Sequence, residues 1–198
     1  MTPEEITEIL RAELKPKRFA HTMGVMATAR ELAEIHGESE ILAQRAGLMH
    51  DNAKSLSLER MLELADEGGL ELSGDERASA ALMHAPVGAY LARVRFGEED
   101  ARVLDAIRYH TTGRPGMSAL EAIIYLADMI EPNRADFEGL RDLRALTRRD
   151  LGRALEMGLY MSNSYVLERG QRLFDRSRRT YEWIKRLNDD MGRNANAV

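Results

Sequence analysis

Apolar residues recur at helical spacing along most of this chain, and residues that start or stop helices divide the pattern into segments. The segment Thr2–Glu5 offers an N-cap residue, a proline at the first helical position and two acids in the first turn. The apolar stripe over 17–36 ends at Gly37, a typical helix stop. Alanine, leucine, glutamate, arginine and methionine are abundant, which favours helix. Because no two segments read as paired strands, the sequence predicts an all-α fold with almost no strand.

Further signals place the remaining helices and the limits of the domain. The segment 41–49 is apolar on most sides, which is typical of a helix at the centre of a core. Other helices are predicted over 58–65, over 76–95 with a break near Pro86, over 98–110, from the capping box at Ser118 to Pro132, over 151–168 and over 180–190, with a frayed tail at 194–198. We expect one domain over 1–198, with a core over about 18–134 and C-terminal helices over about 137–190.

Composition and charge exclude several classes of function. The chain contains no cysteine, so neither a disulfide framework nor a thiolate metal site is available. The formal net charge of −5 argues against a general nucleic-acid binder. The first ten residues carry acids where a signal peptide carries bases, and no segment approaches the roughly 18 apolar residues of a membrane helix. We therefore expect a soluble cytoplasmic protein whose partners include neither nucleic acid nor membrane.

The residues able to carry chemistry are histidines and aspartates on segments that the pattern marks as buried. Four of the five histidines stand beside small or apolar residues on separate segments, and only His36 is interpreted as an ordinary residue. The four are His21, His50, His84 and His110. Asp51 follows His50 directly, and Asp128 follows the apolar run 123–127. Imidazoles with carboxylates suit iron, manganese, zinc or cobalt, and a set without thiolates is typical of catalytic sites.

Five motifs carry a resemblance to a known family. They are RFAHTMGV, AGLMHDNAK, MHAPVGAYLA, AIRYHTTGRPGMS and YLADMIEPNR, all within about 18–134. The order His, His-Asp, His, His, Asp is similar to the two-metal pattern of the HD superfamily, and the flanking residues resemble the bacterial YqeK-type family. This resemblance implies an HD-domain helical bundle with a buried dinuclear metal site. It also implies symmetrical hydrolysis of dinucleoside tetraphosphates, which converts diadenosine tetraphosphate into two ADP.

The same resemblance implies a role for each ligand. One metal ion would be held by four residues: His21, His50, Asp51 and Asp128. Asp51 would bridge to a second ion, which His84 and His110 complete. The family suggests iron, and the ligand types also accept manganese or cobalt. Such a site activates water through metal coordination, so no serine or cysteine nucleophile is required.

Basic and hydroxyl residues beside these positions are candidates for substrate contacts. Lys54 lies three residues after Asp51, on nearly the same face if the helix continues. Arg134 lies beyond Pro132, where a guanidinium suits a phosphate group. With Asp51, these two side chains form the expected catalytic group. Further candidates for substrate binding are Thr111, Thr112, Gly113, Arg18 and Glu131.

Several alternatives stay open at this point. Another HD-type nucleotide phosphatase or phosphodiesterase would share the metal ligands, so only substrate profiling separates it. A nucleotide-binding sensor would keep the ligands with little turnover, although intact ligands and Lys54 argue against it. A metal-stabilised interaction module would lose its fold on chelation and show no activity. A homodimer is also left open, and the late helices offer a natural surface for one.

Overall fold

A computed structural model describes residues 1–195, and this range contains no strand, which confirms the all-α prediction. The described helices are α1 Pro3–Glu13, α2 Pro16–His36, α3 Glu40–Met49, α4 Leu58–Glu67, α5 Gly74–Arg77, α6 Ala80–Phe96, α7 Ala101–Tyr109, α8 Ala119–Ile130, α9 Leu140–Thr147, α10 Leu151–Glu168 and α11 Asp175–Ala195. Of the tail expected to fray, residues 194 and 195 belong to α11, and residues 196–198 lie outside the described range. No described helix has the length and apolar character that crossing a membrane requires.

Capping boxes start three of the described helices, α1, α5 and α8. The Thr2 hydroxyl accepts a hydrogen bond from the Glu5 N–H at 3.2 Å, and the Glu5 carboxylate accepts one from the Thr2 N–H at 2.8 Å. Ser118 and Glu121 form the same reciprocal pair at the start of α8. Each box satisfies N–H groups that the first helical turn leaves without a partner, so the start of each helix is fixed locally.

The predicted break near Pro86 is wrong. α6 runs through Pro86, and the chain breaks earlier, at 78–79, between α5 and α6. Proline removes one N–H donor from the helix, which is unfavourable in isolation. Every residue from 83 to 89 is buried, however, so the packing of this turn outweighs the loss of one hydrogen bond.

α7 is shorter than the sequence predicted, and α3 does not continue beyond the predicted segment 41–49. α7 begins at Ala101 rather than at 98, because the Asp100 side chain accepts a hydrogen bond from a backbone N–H of the first turn at 2.9 Å. α3 ends at Met49, and the chain continues in tight turns over 50–55. Lys54 therefore does not lie on a continuing helix, and its side chain is placed by these turns instead.

α2, α3 and α8 form the centre of the core. Ile123, Ile124 and Leu126 of α8 have no exposed surface. A helix that is apolar on most of its circumference is stable only when neighbours surround it, and α8 packs against α2, α3, α7, α9 and α10. A smaller apolar cluster between α4 and α6 includes Met61 and Met83. The polar cluster described below lies where the helices of the main core converge.

The C-terminal helices reach back to the segment that follows α7. α10 packs on α8 and α9, and α11 packs on α10. Thr180 of α11 lies so close to Gly113 that a Cβ atom at Gly113 would be 2.6 Å from its methyl group. Arg176 donates a hydrogen bond to the buried Glu76 carboxylate at 2.8 Å, which ties α11 to α5. The division of the chain into a single domain with these limits stays a prediction.

Candidate metal centre

The six expected ligands converge in three dimensions, although they come from five different parts of the chain. Interior positions of α2, α6 and α8 supply His21, His84 and Asp128. The residues that follow α3 and α7 supply His50, Asp51 and His110. His50 and His110 are the residues that directly follow α3 and α7. Their rings therefore lie at helix ends, where the chain turns away and leaves room for a shared centre.

Asp51 lies in the middle of this cluster, and its two carboxylate oxygens face different pairs of histidines. Oδ1 lies 3.2 Å from Nε2 of His84 and 3.6 Å from Nε2 of His110. Oδ2 lies 3.6 Å from Nε2 of His50 and 3.9 Å from Nε2 of His21. In each of the two triads that share Asp51, the ligand atoms lie within 4.8 Å of one another. A carboxylate divided in this way can bridge two metal ions.

Asp128 completes the half of the cluster that contains His21. Its Oδ1 atom lies 3.1 Å from Nε2 of His21. Its side chain is 24% exposed, whereas that of Asp51 is 3% exposed. Asp128 therefore stands where the cluster opens to solvent, and Asp51 lies behind it in the protein.

Backbone and carboxylate acceptors fix the orientation of three imidazole rings. Nδ1 of His50 donates to the Gly47 carbonyl at 2.7 Å, and Nδ1 of His110 donates to the Ile107 carbonyl at 2.7 Å. Nδ1 of His21 faces a carboxylate oxygen of Glu131 at 3.1 Å. Because these partners only accept hydrogen bonds, each Nδ1 carries a proton, and in the neutral ring this leaves Nε2 with a free lone pair. Metal-binding histidines in proteins are commonly held in this way.

Burial and neighbouring charges favour the protonation states that bind metal at two of the histidines and at Asp51. Burial lowers the pKa of His50, and it lowers the pKa of His84 to about 4. Burial would raise the pKa of Asp51, but the surrounding cluster of nitrogens holds that pKa well below its usual range. Burial also opposes protonation of His21, yet the Asp128 carboxylate raises its pKa. Neutral imidazoles and ionised carboxylates are the forms that bind metal.

Unpartnered polar atoms in the cluster indicate that a cation belongs there. Nε2 of His21, Nε2 of His50 and Oδ1 of Asp51 are buried and make no hydrogen bond of good geometry within the described chain. Nε2 of His84 and Nε2 of His110 approach each other to 3.1 Å beside Oδ1 of Asp51. Such groups are costly when buried without partners, and metal ions would satisfy them together. The residues present therefore fit a metal centre.

Four of the residues expected to contact substrate lie directly beside the cluster. Nζ of Lys54 is 3.0 Å from Nε2 of His84, and a guanidinium nitrogen of Arg18 is 2.6 Å from Oδ2 of Asp51. The other two contact the cluster at longer range. Arg134 approaches Oδ1 of Asp128 at 3.7 Å, and the Thr111 hydroxyl lies 3.4 Å from Nε2 of His110.

The other three expected contacts are already engaged with other parts of the protein. Glu131 is 1% exposed, and its two carboxylate oxygens are occupied by His21 and by the Asn133 N–H at 2.6 Å. The hydroxyl of Thr112 is buried and donates to the carbonyl of Gly113. Gly113 adopts a left-handed φ of 61° and packs against α11. The structure thus gives Glu131 a role in orienting His21, and it makes the other two residues part of the turn behind His110.

The structure also contains a feature that the sequence analysis did not single out. A cavity of about 630 Å³ opens beside His21, between the start of α2 and the segment after α8. Its lining includes Lys15, Lys17 and Asn133 in addition to Arg18 and Arg134. The two walls are more than 100 residues apart in sequence, so no local pattern could have indicated the cavity. The basic segment before His21 was the one available signal.

Comparisons with known proteins relate this chain to one family. The HD domain family model matches residues 18–133. The chain is 40% identical over 184 residues to the symmetrical bis(5′-nucleosyl)-tetraphosphatase of Bacillus subtilis, covering 93% of this chain and 98% of that protein. It is 40% identical over 181 residues to the protein of the same name from Halalkalibacterium halodurans, covering 89% and 94% of the two chains.

A solved structure shows the same fold over almost the whole length. The crystal structure from Clostridium acetobutylicum, described as a predicted HD superfamily hydrolase involved in NAD metabolism, superimposes with a TM-score of 0.89 at 39% identity. The match covers 93% of this chain and 97% of the other. The chain therefore belongs to the HD domain family, in the YqeK-type group to which these bacterial tetraphosphatases belong.

Proposed function

We propose that this protein is a metal-dependent phosphohydrolase that splits diadenosine tetraphosphate, and related dinucleoside tetraphosphates, symmetrically into two nucleoside diphosphates. The observation that carries the reaction class is the buried Asp51 carboxylate, whose two oxygens face separate histidine pairs. The substrate is supported by the two relatives of that name, which match over about nine tenths of each chain or more.

The proposed centre holds two metal ions. Residues His21, His50, Asp51 and Asp128 would hold the first, and Asp51, His84 and His110 would hold the second. Iron is the proposed metal, and manganese or cobalt would suit the same imidazole and carboxylate ligands. When bound, such ions polarise a phosphoryl group and make water a nucleophile at neutral pH.

The side chains around the centre have separate tasks in the proposed reaction. Asp51 orients both halves of the site, because each of its oxygens is committed to one histidine pair. Lys54 lies on the half that contains His84, and Arg18 and Arg134 lie on the half that contains His21. These cations stand on both sides of the position where charge develops on the transferred phosphoryl group. Fixed positive charge at such positions lowers the barrier.

Replacing Lys54 tests whether a cation beside the centre assists catalysis without holding metal. We expect Lys54→Met to keep its bound metal and its thermal stability, and to lose roughly 10²-fold in kcat, since one preorganised charged donor is removed. Metal content by elemental analysis and steady-state kinetics on diadenosine tetraphosphate give the two readouts. Lys185→Met, on α11, is the matched control and should behave as wild type. Equal losses of metal and rate in Lys54→Met would make Lys54 a structural residue.

The proposed activity is tested most directly by identifying products. Metal-loaded protein is incubated with diadenosine tetraphosphate, and the nucleotides are resolved by chromatography. ADP as the sole product is the expected result. ATP with AMP would mean an asymmetric cut and would overturn the proposed specificity. The absence of any product, with metal bound, would favour another nucleotide substrate of the HD type or a nucleotide sensor.

The location, the class of partner and the oligomeric state of the protein also belong to this proposal. A cytoplasmic location is supported by the absence of cysteine from the sequence. The negative net charge supports a small phosphorylated substrate rather than nucleic acid as the partner. Measuring the mass of the protein in solution distinguishes a homodimer from a monomer.

A further inference from the structure

A cavity opens beside His21, and its lining includes two lysines to which the proposed reaction assigns no role. Its volume of about 630 Å³ falls within the range of roughly 300–1000 Å³ that small-molecule sites occupy. His21 forms part of its wall, so the cavity is continuous with the metal centre. It lies on the half of the cluster that contains Asp128, opposite the half that contains Lys54.

The charge of the cavity is strongly positive, in contrast to the net charge of −5 of the whole chain. Its lining contains four cationic side chains: Lys15, Lys17, Arg18 and Arg134. The carboxylate that lines it, Glu131, is almost fully buried and already accepts hydrogen bonds from His21 and Asn133. The surface that a ligand would meet is therefore cationic, which favours a polyanion.

Lys15 and Lys17 differ from the two arginines in having no partner of their own. Arg18 lies 2.6 Å from Asp51, and Arg134 lies 3.7 Å from Asp128. Neither lysine comes within 4.0 Å of a carboxylate oxygen anywhere in residues 1–195 as described. Of the 28 basic residues only four are lysines, and two of these stand at this cavity. An exposed, unpaired ammonium group is available to bind phosphate without first breaking an ion pair.

The walls of the cavity are held in fixed positions. The Asn133 side chain donates to the Ala20 carbonyl at 3.2 Å, which joins the segment after α8 to α2. Gly24 of α2 faces the Glu131 side chain so closely that a Cβ atom there would collide with the carboxylate unless that side chain moved. A site held in this way loses little conformational entropy when a ligand binds.

We propose that this cavity binds one nucleoside diphosphate half of the substrate, with Lys15 and Lys17 contacting the phosphate next to the nucleoside. This inference rests on the proposed function. Symmetrical cleavage leaves two phosphates on each side of the broken bond, so one half must extend beyond the metal centre by a phosphate and a nucleoside. The cavity lies directly beside the centre and carries cations where that phosphate would lie. Lys15 and Lys17 are then substrate-binding residues that distinguish a tetraphosphate chain from a single phosphate group.

The test is a Lys15→Ala/Lys17→Ala double variant of the full, metal-loaded protein, with ADP as the binding probe. We expect the Kd for ADP to rise about 10-fold, because two charge-assisted contacts are lost. The dependence of Kd on salt concentration should also become shallower. For diadenosine tetraphosphate, KM should rise by a similar factor while kcat stays within about 2-fold. Lys15→Arg/Lys17→Arg should retain most of the affinity, and Lys185→Ala should match wild type.

The outcomes separate this inference from the proposed function. Loss of ADP affinity in the double variant, in a protein that does not cleave diadenosine tetraphosphate, would support the cavity assignment and reject the substrate. Unchanged Kd and KM in the double variant would overturn the assignment while leaving the hydrolase intact. Absence of ADP binding by the metal-loaded wild type would also overturn it. A fall in kcat with unchanged Kd would show that the lysines act on the metal centre and not on the distal phosphate.

Discussion

The Asp51→Asn variant is expected to lose activity on the order of 10³-fold or more and to retain less than half of the bound metal. The amide keeps the shape of the side chain, but it removes the negative charge on which both histidine pairs converge at 3.2 to 3.9 Å. Substitution of groups that merely orient metal ligands already costs roughly 10- to 100-fold. Loss of a ligand shared by both ions should cost more.

Metal content by elemental analysis and the rate of ADP formation measure this effect. Asp189→Asn, on the exposed part of α11, is the matched control and should keep full activity and metal. Urea unfolding of the metal-free proteins shows whether Asp51→Asn still folds. Normal turnover by a folded Asp51→Asn protein would reject the proposed site as a whole.

The Gly47→Val variant is expected to lose about 3 kcal/mol of stability, the upper end of the cost of overpacking a core. A Cβ atom at position 47 would lie 2.9 Å from Cα of Met26, which is backbone and cannot move aside. α2 and α3 therefore cross at this point at a distance that only glycine permits. For a chain of this size the melting temperature should fall by roughly 6–12 °C. Calorimetry or thermal circular dichroism measures the change.

The same substitution should also weaken metal binding. The carbonyl of Gly47 accepts the hydrogen bond from Nδ1 of His50, so a shift of this backbone turns the ring that supplies one ligand. Gly192→Val is the control, because a Cβ atom there meets no described atom within 4 Å. That variant should change stability by a few tenths of a kcal/mol. If Gly47→Val were as stable as wild type, the close crossing of α2 and α3 would not limit the core.

The local sequence determined where helices begin and end wherever the residues responsible lie within one turn of the helix end. The capping boxes at Thr2 and Ser118 and the glycine that ends α2 are examples, because each satisfies or releases backbone groups next to it in the chain. Pro86 is the opposite case. The proline removes one backbone hydrogen bond from the helix, which is unfavourable locally. Pro86 is nevertheless buried together with its neighbours, and this packing cannot be read from a short stretch of sequence.

The candidate site likewise has features that the sequence predicts and features that depend on the tertiary structure. The types and order of the six ligands could be read from the chain, because imidazoles and carboxylates beside apolar runs need partners and the flanking motifs resemble one family. Lys54 was expected on a continuing helix, and turns bring it to the cluster instead. Thr112 and Gly113 were expected to contact substrate; in the structure the Thr112 hydroxyl donates to the Gly113 carbonyl, and Gly113 packs against α11, which follows more than 60 residues later.

The sequence by itself determined the all-helical class and the family, and it named the proposed metal ligands. Only the tertiary structure decided which oxygen of Asp51 faces which histidine pair, that Glu131 orients His21, and that Lys15 and Lys17 share a cavity with Arg134. Helix propensity and capping depend on residues within a few positions of one another, so they can be predicted from short stretches of sequence. The relative positions of groups more than 100 residues apart depend on how helices pack, and packing is a property of the whole core.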